Sequence, residues 1–215
     1  MVEYLCMDLT FVLISLIILV FSAILHEVAH GWVADRLGDP TARLLGRLTL
    51  NPIPHIDPLM SILLPLVLIL TGSPIVFGAA KPVPVDPFNL RDGRRDMALV
   101  SLAGPITNFL IAAIAAIFLK FGANFIPDQF ILEIIFRIVQ LNLLLGIFNL
   151  LPIPPLDGSK AFSLLLPEDT AKSYLSIGAY GMFIIFFLLL FPIGGFSLGS
   201  LIGNLLNFSL RLLGL

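Results

Sequence analysis

The chain has 215 residues, 58% of them hydrophobic and only 12% charged, with a formal net charge of −2 and a mean hydropathy of +1.05. A soluble domain carries about a quarter charged residues, so this composition fits only a polytopic membrane protein, with no room for a separate soluble domain once its spans are counted. No basic run points to nucleic acid, and the single Cys6 excludes an internal disulfide or a thiolate metal site.

From Leu9 to Leu25 the sequence is apolar except for Thr10, Ser15 and Ser22, and the first span is expected over about 9–34. It is expected to be a retained span and not a cleaved secretory signal. Its leading residues carry Glu3 and Asp8 with no Lys or Arg, and no small-residue cleavage site closes the run. The span ends in His26-Glu27-Val28-Ala29-His30. Ionisable side chains are costly within a bilayer, so this cluster needs a reason. Residues four apart on an α-helix lie about 40° apart around its axis, so both imidazoles face one way and can share a Zn²⁺ ion. Glu27 stands where a general base reaches water activated at that ion. A chance match is the bland alternative, but the chain has only 3 histidines and few charges, which argues against it.

The apolar segment from Pro58 to Leu70 contains Pro65 and is too short to cross a bilayer, so a re-entrant or interfacial segment is expected. Arg36, Arg43 and Arg47 precede it, and Lys81, Arg91, Arg94 and Arg95 follow it. These are more than half of the 12 basic residues, and the bias of basic loops places both stretches in the cytoplasm. Both lie inside only if 58–80 enters and leaves by one face. The stretch 75–85 carries alternating Pro82 and Pro84, which suits an edge strand with one edge free to pair with an extended peptide, or equally a connecting loop. His55 lies in a proline-rich turn and is not assigned as a ligand.

Further spans are expected at about 97–119, 131–151, 174–192 and 196–213. The resulting fold is all-α, with five full transmembrane helices and one re-entrant segment, or six helices. The N-terminus and the loops 120–130 and 192–196 lie outside, while Lys160, Lys172 and Arg211 lie inside. Asn108, after Gly104-Pro105, reads as an interhelical hydrogen-bonding group in preference to a substrate contact. Glu133 and Arg137, one turn apart, are expected to pair or to snorkel.

The span 131–151 runs into Leu151-Pro152-Ile153-Pro154-Pro155-Leu156-Asp157-Gly158. Three prolines in four residues end the helix, and irregular backbone at membrane depth is tolerated where it lines a cavity. By itself Asp157 reads equally as a helix cap or turn residue. Beside two histidines it becomes the natural third ligand, because a catalytic zinc site takes three protein ligands and leaves one position open.

The HEVAH motif, the segment Ser101-Leu102-Ala103-Gly104-Pro105-Ile106-Thr107-Asn108 and the NLLPIPPLDG motif together resemble the site-2 protease family of intramembrane zinc metalloproteases. The short form without a PDZ or CBS insert looks closest, and the likeness covers about residues 9–166. The resemblance implies a single protease domain over 1–215, its last two spans unassigned. It implies that His26, His30 and Asp157 bind one Zn²⁺, that Glu27 is the catalytic base, and that Asn149 holds the substrate carbonyl or oxyanion. The expected reaction is hydrolysis of peptide bonds in or near membrane segments of membrane proteins, in a prokaryotic cell membrane, with the catalytic motifs toward the cytoplasm. A substrate helix must unwind locally, since its carbonyls are otherwise hydrogen-bonded. The rivals are a cation transporter, which needs no Glu27 beside its ligands, and a zinc protein that binds clients without cleaving them.

Overall fold

The computed structural model describes residues 2–58, 63, 67, 80–192, 194–195 and 197–215. The side chains of residues 1–8 and 123, Cys6 among them, lie outside that description, and so does nearly all of the expected re-entrant segment. The described residues form helices and irregular connections, with no strand among them.

Among the described residues, eight α-helices of four or more residues follow in chain order: α1 Val2–Leu37, α2 Thr41–Leu44, α3 Gly93–Gly122, α4 Gln129–Asn149, α5 Asp157–Ser163, α6 Glu168–Ser176, α7 Gly178–Leu190 and α8 Leu198–Leu213. Their ends follow local chemistry. Asp128 accepts a hydrogen bond from the Phe130 N–H and starts α4, and Ser197 accepts one from Ser200 and starts α8. The proline run after Asn149 stops α4. The chain then folds back so closely that a Cβ on Gly158 would collide with the Leu150 carbonyl. Only glycine fits beside Asp157 there.

The long helices α1, α3 and α4 pack on one another and form the scaffold of the site. Ala112 and Ala116, one turn apart on α3, are fully buried against Val139, Leu143 and Ile147 of α4. Small residues at such a seam let two helices approach closely, which matters where lipid supplies no hydrophobic drive for association. Ile185 of α7 and Leu198 and Ile202 of α8 complete this core. The opposite faces carry exposed Val12, Leu16, Val20, Leu110, Ile114 and Ile117. A continuous apolar exterior is a liability in water and a match to hydrocarbon.

The spans differ from expectation toward the C-terminus. Among the described residues, three helices are long and apolar enough to cross a bilayer: Leu9–Leu37 within α1, α3 and α4. The expected crossing at 174–192 is two helices, α6 and α7, bent by 63°. The break falls at Ile177, before Gly178, and α7 with 13 residues covers about 20 Å. Counting the bent pair as one span gives four. The last expected crossing is a 16-residue helix, short of the roughly 20 residues that a span needs. Glu133 and Arg137 do pair, at 3.2 Å, and the Arg137 guanidinium lies over the Phe11 ring.

Two polar clasps tie the loop after α1 to the segment that enters α3. Asp39, fully buried, accepts hydrogen bonds from the backbone N–H groups of Thr41 and Asp86 and from the Asn89 amide. The Arg47 guanidinium donates to the carbonyls of Lys81 and Pro82. Arg94, at the start of α3, donates to the carbonyls of Ser163, the last residue of α5, and of Leu166 just beyond it.

Candidate metal centre

α1 sets His26 and His30 one turn apart, with their rings edge-on and 4.6 Å between centroids. Asp157, the first residue of α5, directs Oδ2 between them, 3.1 Å from His26 Nε2 and 3.2 Å from His30 Nε2. One ligand atom from each of the three residues lies within 4.8 Å of the others, and all three residues are buried. Bonds of about 2.0 Å to a tetrahedral zinc ion set ligand–ligand distances of about 3.3 Å, close to the separations seen. Two imidazole nitrogens and one carboxylate oxygen are the donor set of a zinc site that keeps a fourth position open.

The far side of each ligand is also held. His30 Nδ1 lies 2.7 Å from the Val100 carbonyl, which can only accept, so Nδ1 carries the proton and Nε2 keeps its lone pair. His26 Nδ1 lies 2.6 Å from Asn108 Oδ1. Lys160 Nζ stands 3.6 Å from the second Asp157 oxygen. Gly104 completes the cradle, because a Cβ there would lie 2.5 Å from Nε2 of both His26 and His30. The space for an ion exists because position 104 has no side chain.

Glu27 faces the same cavity of about 420 Å³, which is also lined by Val83, Asn149, Asp157 and Lys160. Its Oε2 accepts the Val83 N–H at 2.7 Å. Pro82 and Pro84 on either side have no N–H to offer. The Lys81 N–H goes to the His55 carbonyl. The edge that the proline alternation left open to a peptide is therefore engaged within the chain at Lys81 and Val83. The structure brings His26, Glu27, His30, Asn149 and Asp157 to one cavity. Asn149 lines it as well, and its amide donates to the Leu145 carbonyl at 3.0 Å. His55 is buried in its turn, with Nε2 on the Thr49 carbonyl, and is not in the metal-binding group. Asn108 is an interhelical hydrogen-bonding group, as its place after Gly104-Pro105 suggested, but one that also touches a metal-facing imidazole. Asn142 and the Val83 N–H went unnoticed in the sequence, and Ser22 counted only as an exception in an apolar run. Single polar residues at unrelated spacings give no periodic signal.

Residues 126–192 match the profile of Peptidase family M50. YwhC of Bacillus subtilis, named as a candidate zinc metalloprotease, is 38% identical over 193 residues, covering 85% of this chain and 82% of its own. The Rip2 proteins of Mycolicibacterium smegmatis and Mycobacterium tuberculosis strain H37Rv, named likewise, are 31% and 34% identical. Each alignment covers 80% of this chain and 64% of the relative. No solved structure matches at a significant level. With a buried His–His–carboxylate centre on apolar helices and a relative this similar along most of both sequences, the chain belongs to Peptidase family M50 and is an intramembrane zinc metalloprotease.

Proposed function

We propose that His26, His30 and Asp157 hold the zinc ion and that Glu27 moves the proton during hydrolysis of a peptide bond in or beside a membrane-spanning segment of a protein substrate. The observation that carries this reading is the convergence of both Nε2 atoms on Asp157 Oδ2, at 3.1 and 3.2 Å, across two helices. When bound, zinc supplies Lewis acidity, bringing the pKa of water toward 7 and polarising a carbonyl. Glu27 accepts the proton as the water oxygen bonds to the carbonyl carbon, then passes it to the amine nitrogen as the C–N bond breaks. The Val83 N–H keeps that carboxylate aimed into the cavity. Asn149 has an amide N–H beyond the one given to Leu145, and donates it to the carbonyl oxygen as charge develops there. Lys160 balances the negative charge of Asp157 at the mouth of the cavity.

The whole chain is read as one protease domain with a re-entrant 58–80 segment, and five crossings require the bent α6–α7 pair and the 16-residue α8 each to count as one. The clasps support this topology. Asp39 and Arg47 grip residues 81–89, so the loops before and after the 58–80 segment meet on one face. The basic residues of those loops favour the cytoplasm for that face, which supports the reading of a multi-pass cell-membrane protein.

The test is purification in detergent with metal analysis and cleavage of a helical membrane reporter. E27Q is expected to lose cleavage by several orders of magnitude while keeping about one zinc per chain. Turnover at the wild-type rate would remove Glu27 from the chemistry.

A further inference from the structure

Three polar side chains from three helices are buried behind His26: Ser22 on α1 is 4% exposed, and Asn108 on α3 and Asn142 on α4 are both 0% exposed. They form an unbroken series. Asn142 Nδ2 lies 2.9 Å from both Ser22 Oγ and the Ile138 carbonyl. Asn142 Oδ1 lies 2.9 Å from Asn108 Nδ2, and Asn108 Oδ1 lies 2.6 Å from His26 Nδ1.

The order of donors and acceptors in this series is forced from one end. The Ile138 carbonyl can only accept, so Asn142 must turn its nitrogen toward α4 and Ser22 and its oxygen toward Asn108. An oxygen at that point makes Asn108 present its nitrogen to Asn142 and its oxygen to His26. His26 must then carry its proton on Nδ1, which leaves the Nε2 lone pair directed at Asp157 and the ion. Were Asn108 flipped, its N–H would face Nδ1 and favour the tautomer with Nε2 protonated, which has no lone pair to offer the ion at Nε2.

We propose that Asn142, through Asn108, is a positioning residue that sets the tautomer of His26, so that a backbone carbonyl on α4 determines the metal-binding state of a histidine on α1. The inference rests on His26 being a zinc ligand.

The test uses the fact that an aspartate at position 108 offers oxygen whichever way it turns. Zinc affinity is measured by competition with a chelating dye on the full-length protein in detergent. N142L is expected to weaken zinc binding about tenfold, within the range found when the partner of a metal-ligating histidine is lost. N108L is expected to lose about 10–100-fold. The decisive comparison is N142L in the N108D background, where the loss should disappear because no flip remains to be prevented. N142T, closer in volume to asparagine and also without an amide, is run in both backgrounds, and size-exclusion profiles report folding. A network that only joins helices would lower thermal stability and leave zinc affinity at the wild-type value. That result, or an equal loss of affinity in the wild-type and N108D backgrounds, overturns the proposal. H26A separates the two levels: zinc retained in H26A refutes the ligand assignment itself. Zinc lost in H26A but unchanged in N142L refutes only the role of Asn142.

Discussion

At the scale of single residues the centre depends on an absence as much as on its ligands. Gly104 leaves the volume into which both imidazoles point, so Gly104→Ala should displace one ring and lower zinc affinity by about 10-fold or more, comparable to losing a residue that orients a ligand. Wild-type zinc content and affinity in that variant would mean that the rings turn elsewhere to bind the ion. Asp157→Asn removes a charge as well as a ligand geometry. It should weaken zinc retention markedly during dialysis against a chelator, and unchanged retention would place the third ligand outside Asp157. The histidines were legible in the sequence because a repeat of four reports a shared helix face. Asp157 was legible only in their company, since Asp-Gly after a proline run suits any turn. Gly104 entered the sequence reading as a neighbour of Asn108 and as part of a family-like segment. Nothing in Ala103-Gly104-Pro105 states which side chains from α1 would fill the space.

Between elements, the clasp that holds residues 81–89 against the end of α1 carries a pH signature. Burial by itself would raise the Asp39 pKa, but donors from Thr41, Asn89, the Asp86 N–H and the Thr41 N–H override it and hold the carboxyl below its ordinary value. A depressed folded pKa contributes stability that is complete above the unfolded value of about 3.9 and is lost as pH falls through the lower folded value. Thermal unfolding in detergent between about pH 5 and pH 2 should show this loss in wild type. Asp39→Asn should cost about 1–3 kcal/mol near neutrality, because it loses charge-assisted hydrogen bonds, and should lack that share of the acid slope. An identical slope in both proteins would assign the acid sensitivity to other carboxylates. Because the Val83 N–H between these anchors holds Glu27, the variant should also lower kcat more than zinc content. Sequence reading used Arg47 only as a charge for topology and passed over Gly38-Asp39-Pro40. Their partners lie 34 to 50 positions away, beyond what local pattern records. The bend at Ile177 was missed for a different reason. No proline marks it, and the charged residues of α6, Glu168, Asp169 and Lys172, lie before the expected 174–192 span.

For the molecule as a whole, the proposed ligand set would make the ion a link between α1 and α5. A centre shared by α1 and α5 is bound by the folded state and not by the unfolded chain, so chelation should lower the apparent Tm, and added zinc should restore it. At a free zinc concentration about 1,000 times Kd the linkage amounts to about 4 kcal/mol. An unchanged Tm would mean that packing alone holds the two helices as firmly. Single cysteines introduced at Arg43 and Arg91 should react with an impermeant reagent from the same side of the membrane. Labelling from opposite sides would rule out a re-entrant 58–80 segment.

The dimensions of the chamber limit how much of a client the enzyme can inspect at once. One turn of helix with its side chains, about 10 Å across and 5.4 Å tall, fills about 420 Å³, the same volume as the space around Glu27 and Asp157. A space of this size matches a short stretch of the client around the cut bond. Sequence preference should therefore be confined to a narrow frame around the cut bond, with outlying positions acting only through how readily that frame uncoils.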